Sequence, residues 1–163
     1  DVADLYRICG PEYATPPYLP PARFRDLVTL PDLELVQRIH AAGSMARLHC
    51  HGRIGSVLEA IADTEADAVD PCEPPPDGDI ELDEVKRRVG DRMCVFGNVE
   101  LKVLESGTPA DVRAVVLRCM EQAKEGYGYV LMPTAAPIGV PLPRQTEENY
   151  LAFLDAAEEF GAY

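Results

Sequence analysis

The sequence has few basic residues and no long apolar run. The first shortage argues against nucleic-acid binding, and the second argues against a membrane span. Its 163 residues contain 15 Lys and Arg against 28 Asp and Glu, a formal charge of −13. No stretch interleaves basic with aromatic side chains, which argues against nucleic acid as a partner. No apolar run approaches the roughly 20 residues that span a bilayer, and no basic-then-apolar leader opens the chain. We therefore predict a cytoplasmic protein that is not inserted in a membrane. Whether a leader precedes Asp1 stays open.

Two familiar sequence patterns are also missing. No Gly-rich phosphate loop follows any predicted strand, which argues against a nucleotide-binding sheet. The cysteines are odd in number and have no framework spacing, so we expect reduced thiols rather than disulfides. They are Cys9, Cys50, Cys72, Cys94 and Cys119.

The apolar content is sufficient for one sizeable core. Hydrophobic residues make up 47% of the chain, and the length fits a single domain. The sequence begins at Asp1 without a methionine, and its first residues have the pattern of a strand rather than of a frayed terminus. We expect the chain to be a fragment of a longer protein.

Short apolar runs alternate with amphipathic segments along the whole chain, which is typical of βα units around a parallel sheet. The predicted strands are residues 3–9, 45–49, 66–69, 93–96 and 129–132. A helix over about 22–42 should be broken or kinked by Pro31. Two further helix faces are predicted from the sets Ile54, Val57, Leu58 and Ile61, and Leu82, Val85 and Val89.

Two later helices have clearer sequence signals. Thr108 is a good N-cap, and Pro109 suits the first helical position. The last helix should begin after Thr146. Its apolar stripe consists of Tyr150, Leu151, Leu154 and Ala157.

Five βα units fit either an open doubly wound sheet or part of a barrel. The position of the polar residues favours the barrel, because they come just after strands, where barrel enzymes build their sites. These residues are Glu12, His49, His51, Asp70, Glu73, Asn98 and Thr134.

His49 and His51 are the strongest candidates for chemistry. Alternate residues of a strand share a face, so the two imidazoles can point the same way, roughly 6 to 7 Å apart at Cα. Such a pair suits zinc, with Cys72 or Glu73 as a third ligand. The alternative is that both histidines form hydrogen bonds in a polar pocket or to a substrate carboxylate.

Other polar residues have weaker individual signals. Asp70 and Glu73 could accept a proton or orient an imidazole, although acids in a Pro-rich loop are commonly solvated. The amide of Asn98 can both donate to and accept from a polar substrate. Arg7 could project toward an anion or form an internal salt bridge. Cys94 and Cys119 lie on apolar faces and are expected in the core.

Several segments, read in order, resemble the C-terminal half of the uroporphyrinogen decarboxylase superfamily. They are DLYRICGPEY, HCHGR, DAVDPCEPPPDGDI, VFGNVE, GTPADV, YVLMPTAAPI and NYLAFLDAA. The most specific parts are Gly97-Asn98, Gly107 to Pro109, and Glu148-Asn149. The resemblance covers essentially the whole chain and implies an α/β fold, the part of a (β/α)8 TIM barrel with parallel strands from about the fourth strand to the last helix.

The resemblance implies two possible reactions. Decarboxylases of this superfamily remove acetate carboxyls from a porphyrinogen without a cofactor and carry Gly-His-Gly after the last strand; here Pro133-Thr134-Ala135-Ala136 has no histidine. Zinc-dependent methyltransferases move methyl groups between a corrinoid and a thiol and carry His-x-Cys and a later Cys. Here His49-Cys50-His51 offers His-x-His, and Ala135 or a neighbour replaces the late Cys.

On this basis we place zinc-dependent methyl transfer first, porphyrinogen decarboxylation second, and a degenerate ligand-binding member third. The expected substrate is a small molecule or a corrinoid protein, and the expected assembly is a homodimer. The expected zinc ligands are His49, His51 and Cys72. We assign catalytic roles to Asp70, Glu73 and Asn98, and substrate contacts to Arg7, Glu12 and Thr134.

Overall fold

The five apolar runs predicted as strands each form one, with bounds that differ by a few residues. The structure, a computed structural model, describes residues 3–162. Its strands form one parallel sheet. They are β1 (Leu5–Cys9), β2 (Met45–Cys50), β3 (Ala68–Pro71), β4 (Cys94–Val99) and β5 (Tyr129–Pro133).

The order of the strands distinguishes between the two predicted architectures. Each strand pairs with the next one along the chain, from β1 to β5, and every pairing is parallel. A doubly wound sheet reverses its strand order at a switch point, whereas the strands of a barrel follow one another in sequence. The sheet is therefore of the barrel type, and its two edges are β1 and β5.

Helices follow every strand. They are α1 (Leu30–Ala41), α2 (Leu58–Ala62), α3 (Leu82–Val89), α4 (Leu101–Ser106), α5 (Pro109–Ala123) and α6 (Arg144–Phe160). A π-helical turn, Arg25–Thr29, runs into α1 without a gap, so the predicted helix changes its winding before Pro31 and is not broken at it. Pro31 itself lies in the first turn of α1, where no backbone N–H is required. Within residues 3–162, no helix is long and apolar enough to cross a membrane.

Four details differ from the sequence prediction. Ile54 and Val57 are buried but precede the short α2, and α4 was not predicted. The last helix begins at Arg144 and not after Thr146. Its predicted face is wrong, because Leu151 and Leu154 are more than half exposed. The buried face consists of Thr146, Asn149, Phe153 and Ala156.

The alternation along β2 separates the core from the other face of the sheet. Ala46, Leu48 and Cys50 are buried in the hydrophobic core. The side chains of Arg47 and His49 lie between them in sequence and so point to the opposite face. The register places Arg7 beside Arg47 and Asp70 beside His49, so the polar groups of three strands meet on that face.

The N-terminus of α5 tests the prediction that Thr108 is the N-cap of this helix. Thr108 and Asp111 form the reciprocal hydrogen bonds of a capping box. Replacing Thr108 with Ala should lower the free energy of unfolding by about 1 kcal/mol, because the N–H of Asp111 loses its acceptor. Urea denaturation measures this change, with the exposed Ser106→Ala as the control. Equal stability of the two variants would contradict the capping role.

Candidate active site

Polar side chains from β1, β2 and β3 form a cluster at the carboxyl end of the sheet. Asp70 is its centre and is fully buried. Its Oδ2 accepts a hydrogen bond from His49 Nδ1 at 2.7 Å and lies 3.9 Å from the guanidinium of Arg7. Arg47 Nε lies 3.1 Å from Asp70 Oδ1. Two cations and one imidazole therefore compensate a carboxylate that burial alone would make costly.

The hydrogen bonds of His49 define its tautomer. Arg7 can only donate, and its NH2 group lies 2.8 Å from His49 Nε2, so Nε2 is the acceptor. The proton of the neutral ring is then on Nδ1, where it is donated to Asp70. The cluster thus presents an oriented, neutral imidazole whose second nitrogen is covered by an arginine.

Arg47 is held in place by apolar neighbours rather than by further acids. Its guanidinium lies over the ring of Phe96 at 5.0 Å and contacts the sulfur of Met132 at 3.7 Å. Among residues 3–162, neither Arg47 Nε nor Asp70 Oδ1 has a hydrogen-bond partner of good geometry, although they form an ion pair. Arg47 Nε can therefore still donate a hydrogen bond beside the cavity, and Asp70 Oδ1 can still accept one.

A cavity of about 330 Å³ opens next to this cluster, within the size range of small-molecule sites. Arg7, Arg47 and Asp70 form its polar side. The remaining wall comes from the end of β5 and from α6, with Met132, Pro133, Thr134, Ala135, Ala136 and Tyr150. The side chain of Arg7 is 46% exposed, so an anion can reach it directly.

His51 and Glu73 form a second imidazole–carboxylate pair. Glu73 accepts from His51 Nδ1 at 2.8 Å and from the backbone N–H of Gly52 at 2.6 Å. The hydrogen bond with Glu73 raises the pKa of His51, against the opposing effect of burial. Burial would raise the pKa of Glu73, but the hydrogen bonds from His51 and Gly52 outweigh it and lower that pKa.

The second pair lines a separate cavity of about 290 Å³ above the ends of β1 to β3. Glu12 lies there, with one carboxylate oxygen accepting from the N–H of Gly10 at 3.1 Å. The rest of the polar wall consists of Thr15, Tyr18, Arg53 and Asp77. Of the three predicted substrate contacts, Arg7 and Thr134 face the first cavity and Glu12 faces the second.

The second pair has a defined pH dependence. Its contribution to stability should be complete below the ordinary histidine value of 6.5 and lost as the pH rises through the raised pKa of His51. On the acid side it is lost as the pH falls through the lowered pKa of Glu73. Glu73→Gln should move the pKa of His51 down toward 6.5, as measured by NMR titration. Asp67→Asn, which breaks the separate His40–Asp67 pair, is the control; an unchanged His51 titration in Glu73→Gln would contradict the pairing.

The predicted zinc ligands are only partly brought together. His49 and His51 do share a face, with ring centroids 4.5 Å apart and planes at 89°. Cys72 is fully buried in the hydrophobic core, and burial raises the pKa of its thiol. Within the described part of the chain, no group of three His, Cys, Asp or Glu side chains is placed to hold a metal ion. The residues present therefore do not fit the predicted zinc site, since Nε2 of His49 already faces a cation, Arg7.

Asn98 differs from its predicted role, whereas Thr134 lies at a cavity. Asn98 is 2% exposed, and both ends of its amide are bonded to core groups, the carbonyl of Cys72 and the thiol of Cys119. It therefore cannot contact a substrate in this arrangement. Thr134 borders the first cavity, and its hydroxyl accepts from the N–H of Leu101 at the start of α4.

Arg47 and Phe96 belong to the site but were not predicted from the sequence. Arg47 precedes His49 by two positions on the same strand, so the alternation that paired His49 with His51 applies equally to it. Phe96 occurs two positions before Asn98 on β4. Its contact with Arg47 depends on the packing of three strands and has no local sequence signal.

Comparison with known proteins identifies the family. A family model described as uroporphyrinogen decarboxylase (URO-D) matches residues 3–160. The chain belongs to the URO-D family. The URO-D relatives include uroporphyrinogen decarboxylases from Pseudoalteromonas translucida and Psychromonas ingrahamii, each 34% identical, over 109 and 106 residues. These matches cover 66% and 64% of this chain but only 28% and 27% of the relatives.

A solved structure of a methyltransferase from Methanosarcina mazei has the same fold as this URO-D chain. The match has a TM-score of 0.78 at 23% identity and covers 99% of this chain and 43% of that one. At this identity the match defines the fold alone. Together with the sequential parallel sheet, it confirms the predicted fold class, part of a parallel (β/α) barrel.

Proposed function

We propose that this chain forms part of the active site of a URO-D-family enzyme whose substrate carries carboxylate groups, and that the reaction is decarboxylation. The observation that carries the proposal is the cluster of Arg7, Arg47 and the His49–Asp70 pair at one cavity. Guanidinium groups bind carboxylates through paired hydrogen bonds, which gives both affinity and orientation.

A carboxylate that binds Arg7 changes the state of His49. In the structure Arg7 donates to Nε2 of His49. An incoming carboxylate is a stronger acceptor for the guanidinium, so its binding releases Nε2 toward the cavity. Asp70 keeps the ring oriented and stabilises the imidazolium that forms when Nε2 takes a proton from water, which supplies the one proton that each decarboxylation consumes.

Proton transfer is the part of decarboxylation that this arrangement can supply. When carbon dioxide leaves, the electron pair of the broken carbon–carbon bond stays on the substrate, and a proton must be added there. The His49 imidazolium can give that proton and return to its neutral form, with Asp70 unchanged. The family decarboxylases carry a late histidine that residues 133–136 lack. His49 does not itself line the cavity that these residues border, but it bonds Arg7 and Asp70, which do.

Methyl transfer between a corrinoid and a thiol is the second candidate. It was the first choice from sequence, and the contact between the rings of His49 and His51 favours it. We place it second because the donor set for zinc is not assembled by the described residues, so no step through a metal can be derived. A ligand-binding protein without turnover is the third.

An assay of the full-length protein separates these candidates. Incubation with carboxyl-labelled uroporphyrinogen should release labelled carbon dioxide, and His49→Gln should abolish the release. A parallel assay follows demethylation of a methylated corrinoid by a thiol. Corrinoid demethylation that disappears in a His49→Ala/His51→Ala variant, without carbon dioxide release, would establish methyl transfer instead. Activity in neither assay, with uroporphyrin still bound, would indicate the ligand-binding protein.

A further inference from the structure

The end of β4 is pressed against residues 70–73, which form the end of β3 and the start of the connection after it and are called here the 70–73 turn. A Cβ atom added to Gly97 would lie 2.1 Å from the carbonyl oxygen of Pro71, a distance that no side chain tolerates. Gly97 also has a φ of +142°, which L-residues rarely adopt. Only glycine therefore lets β4 approach this turn so closely.

Asn98, the next residue, holds the same turn in place through a hydrogen bond in the core. Its Nδ2 donates to the carbonyl of Cys72 at 2.7 Å. Its Oδ1 accepts from Sγ of Cys119 on α5 at 3.3 Å. An amide is suited to this position because it offers a donor to the carbonyl and an acceptor to the thiol at once. An apolar side chain would leave the buried carbonyl without a partner.

The turn held in this way carries the acid of each imidazole–carboxylate pair. Cys72 has a left-handed backbone, with a φ of 55°. Asp70 precedes it by two residues and bonds His49, and Glu73 follows it directly and bonds His51 and Gly52. A change in the backbone at Cys72 would therefore displace one carboxylate relative to the other.

We propose that Gly97 and Asn98 are positioning residues, which fix the 70–73 turn so that Asp70 and Glu73 meet His49 and His51. We call Gly97 and Asn98 together the clamp. This inference rests on the proposed function only because it takes the His49–Asp70 pair as the reaction centre. It also gives the buried Asn98, first predicted to be catalytic, a different task. Asn98 acts through the turn and contacts no substrate.

Hydrogen exchange of one backbone amide tests the clamp without an activity assay. The N–H of Gly52 is bonded to Glu73, and the N–H of Ala46, at the other end of β2, is bonded to Asp67. In the full-length protein, Asn98→Ala should accelerate exchange at Gly52 roughly tenfold, the effect of losing one hydrogen bond to a charged group. Exchange at Ala46 should stay as in the wild type.

The matched control is Asn149→Ala. Asn149 is also buried and also donates to backbone carbonyls, but it lies on α6 and bonds those of Leu104 and Gly107 instead of the 70–73 turn. This variant should lose stability without faster exchange at Gly52. Equal acceleration in both variants, or none in Asn98→Ala, would overturn the clamp.

A measurement on the wild type covers the case in which Asn98→Ala does not fold. The side-chain amide of Asn98 should exchange far more slowly than that of the exposed Gln37, because both of its ends are bonded in the core. Exchange as fast as that of Gln37 would overturn the proposal. Faster Gly52 exchange with no decarboxylation in the wild type would support the clamp and reject the reaction, so the two failures are distinguishable.

Discussion

Asp70→Asn should reduce the turnover number by on the order of 100- to 10,000-fold, the range of positioned acid–base groups. The replacement keeps the shape of the side chain but removes the charge that stabilises a protonated His49. Arg7 and Arg47 each form an ion pair with Asp70. The replacement removes the negative partner of both pairs and leaves the two arginines beside a neutral group.

The control for this substitution lies at the other end of the sheet. Asp67 also accepts from a histidine, His40, at 2.8 Å, but this pair is exposed and far from both cavities. Asp67→Asn should leave turnover within about twofold of the wild type, since exposed pairs contribute little. A similar loss in Asp67→Asn and Asp70→Asn would mean that the effect is on stability and not on the reaction.

Arg7→Gln should raise KM by on the order of 10- to 100-fold, as expected for the loss of charged hydrogen bonds to a substrate carboxylate. Arg7 is the most accessible cation of the first cavity. Arg7→Lys should recover only part of the loss, because a single ammonium cannot form the paired contact. Steady-state kinetics of both variants measure these changes.

Arg53 provides the matched control for Arg7. It is an exposed arginine that lines the second cavity instead of the first. Arg53→Gln should leave KM near the wild-type value. If Arg53→Gln raises KM and Arg7→Gln does not, the substrate carboxylate binds in the second cavity and the assignment of the first is wrong.

The parts of the site that could be predicted are those fixed by local geometry. The common face of His49 and His51 follows from the two-residue period of a strand, and their ring contact agrees with it. The parallel direction of the strands follows from repeated βα units. The barrel-type strand order does not follow from these units alone; the polar residues after the strands and the family resemblance favour it. The capping box at Thr108 is likewise a local pattern.

The parts that failed depend on single backbone angles and on long-range packing. Cys72 adopts a left-handed conformation in the turn after β3, and its side chain packs into the core and not toward the histidines. In α6, Leu151 and Leu154 are exposed, whereas Phe153, Ala156 and two polar residues, Thr146 and Asn149, form the buried face. Asn149 is buried there because it bonds two carbonyls of the α4–α5 connection, a tertiary contact that apolar periodicity does not report.

The central claim is that Arg7 and Arg47 hold a substrate carboxylate beside His49, and ligand binding tests it most directly. Full-length wild type and an Arg7→Gln/Arg47→Gln variant are titrated by calorimetry with uroporphyrin and with its uncharged methyl ester. We expect the wild type to bind the free acid and not the ester, and the double variant to bind neither. Equal binding of acid and ester by the wild type, or undiminished binding of the acid by the double variant, would contradict the claim.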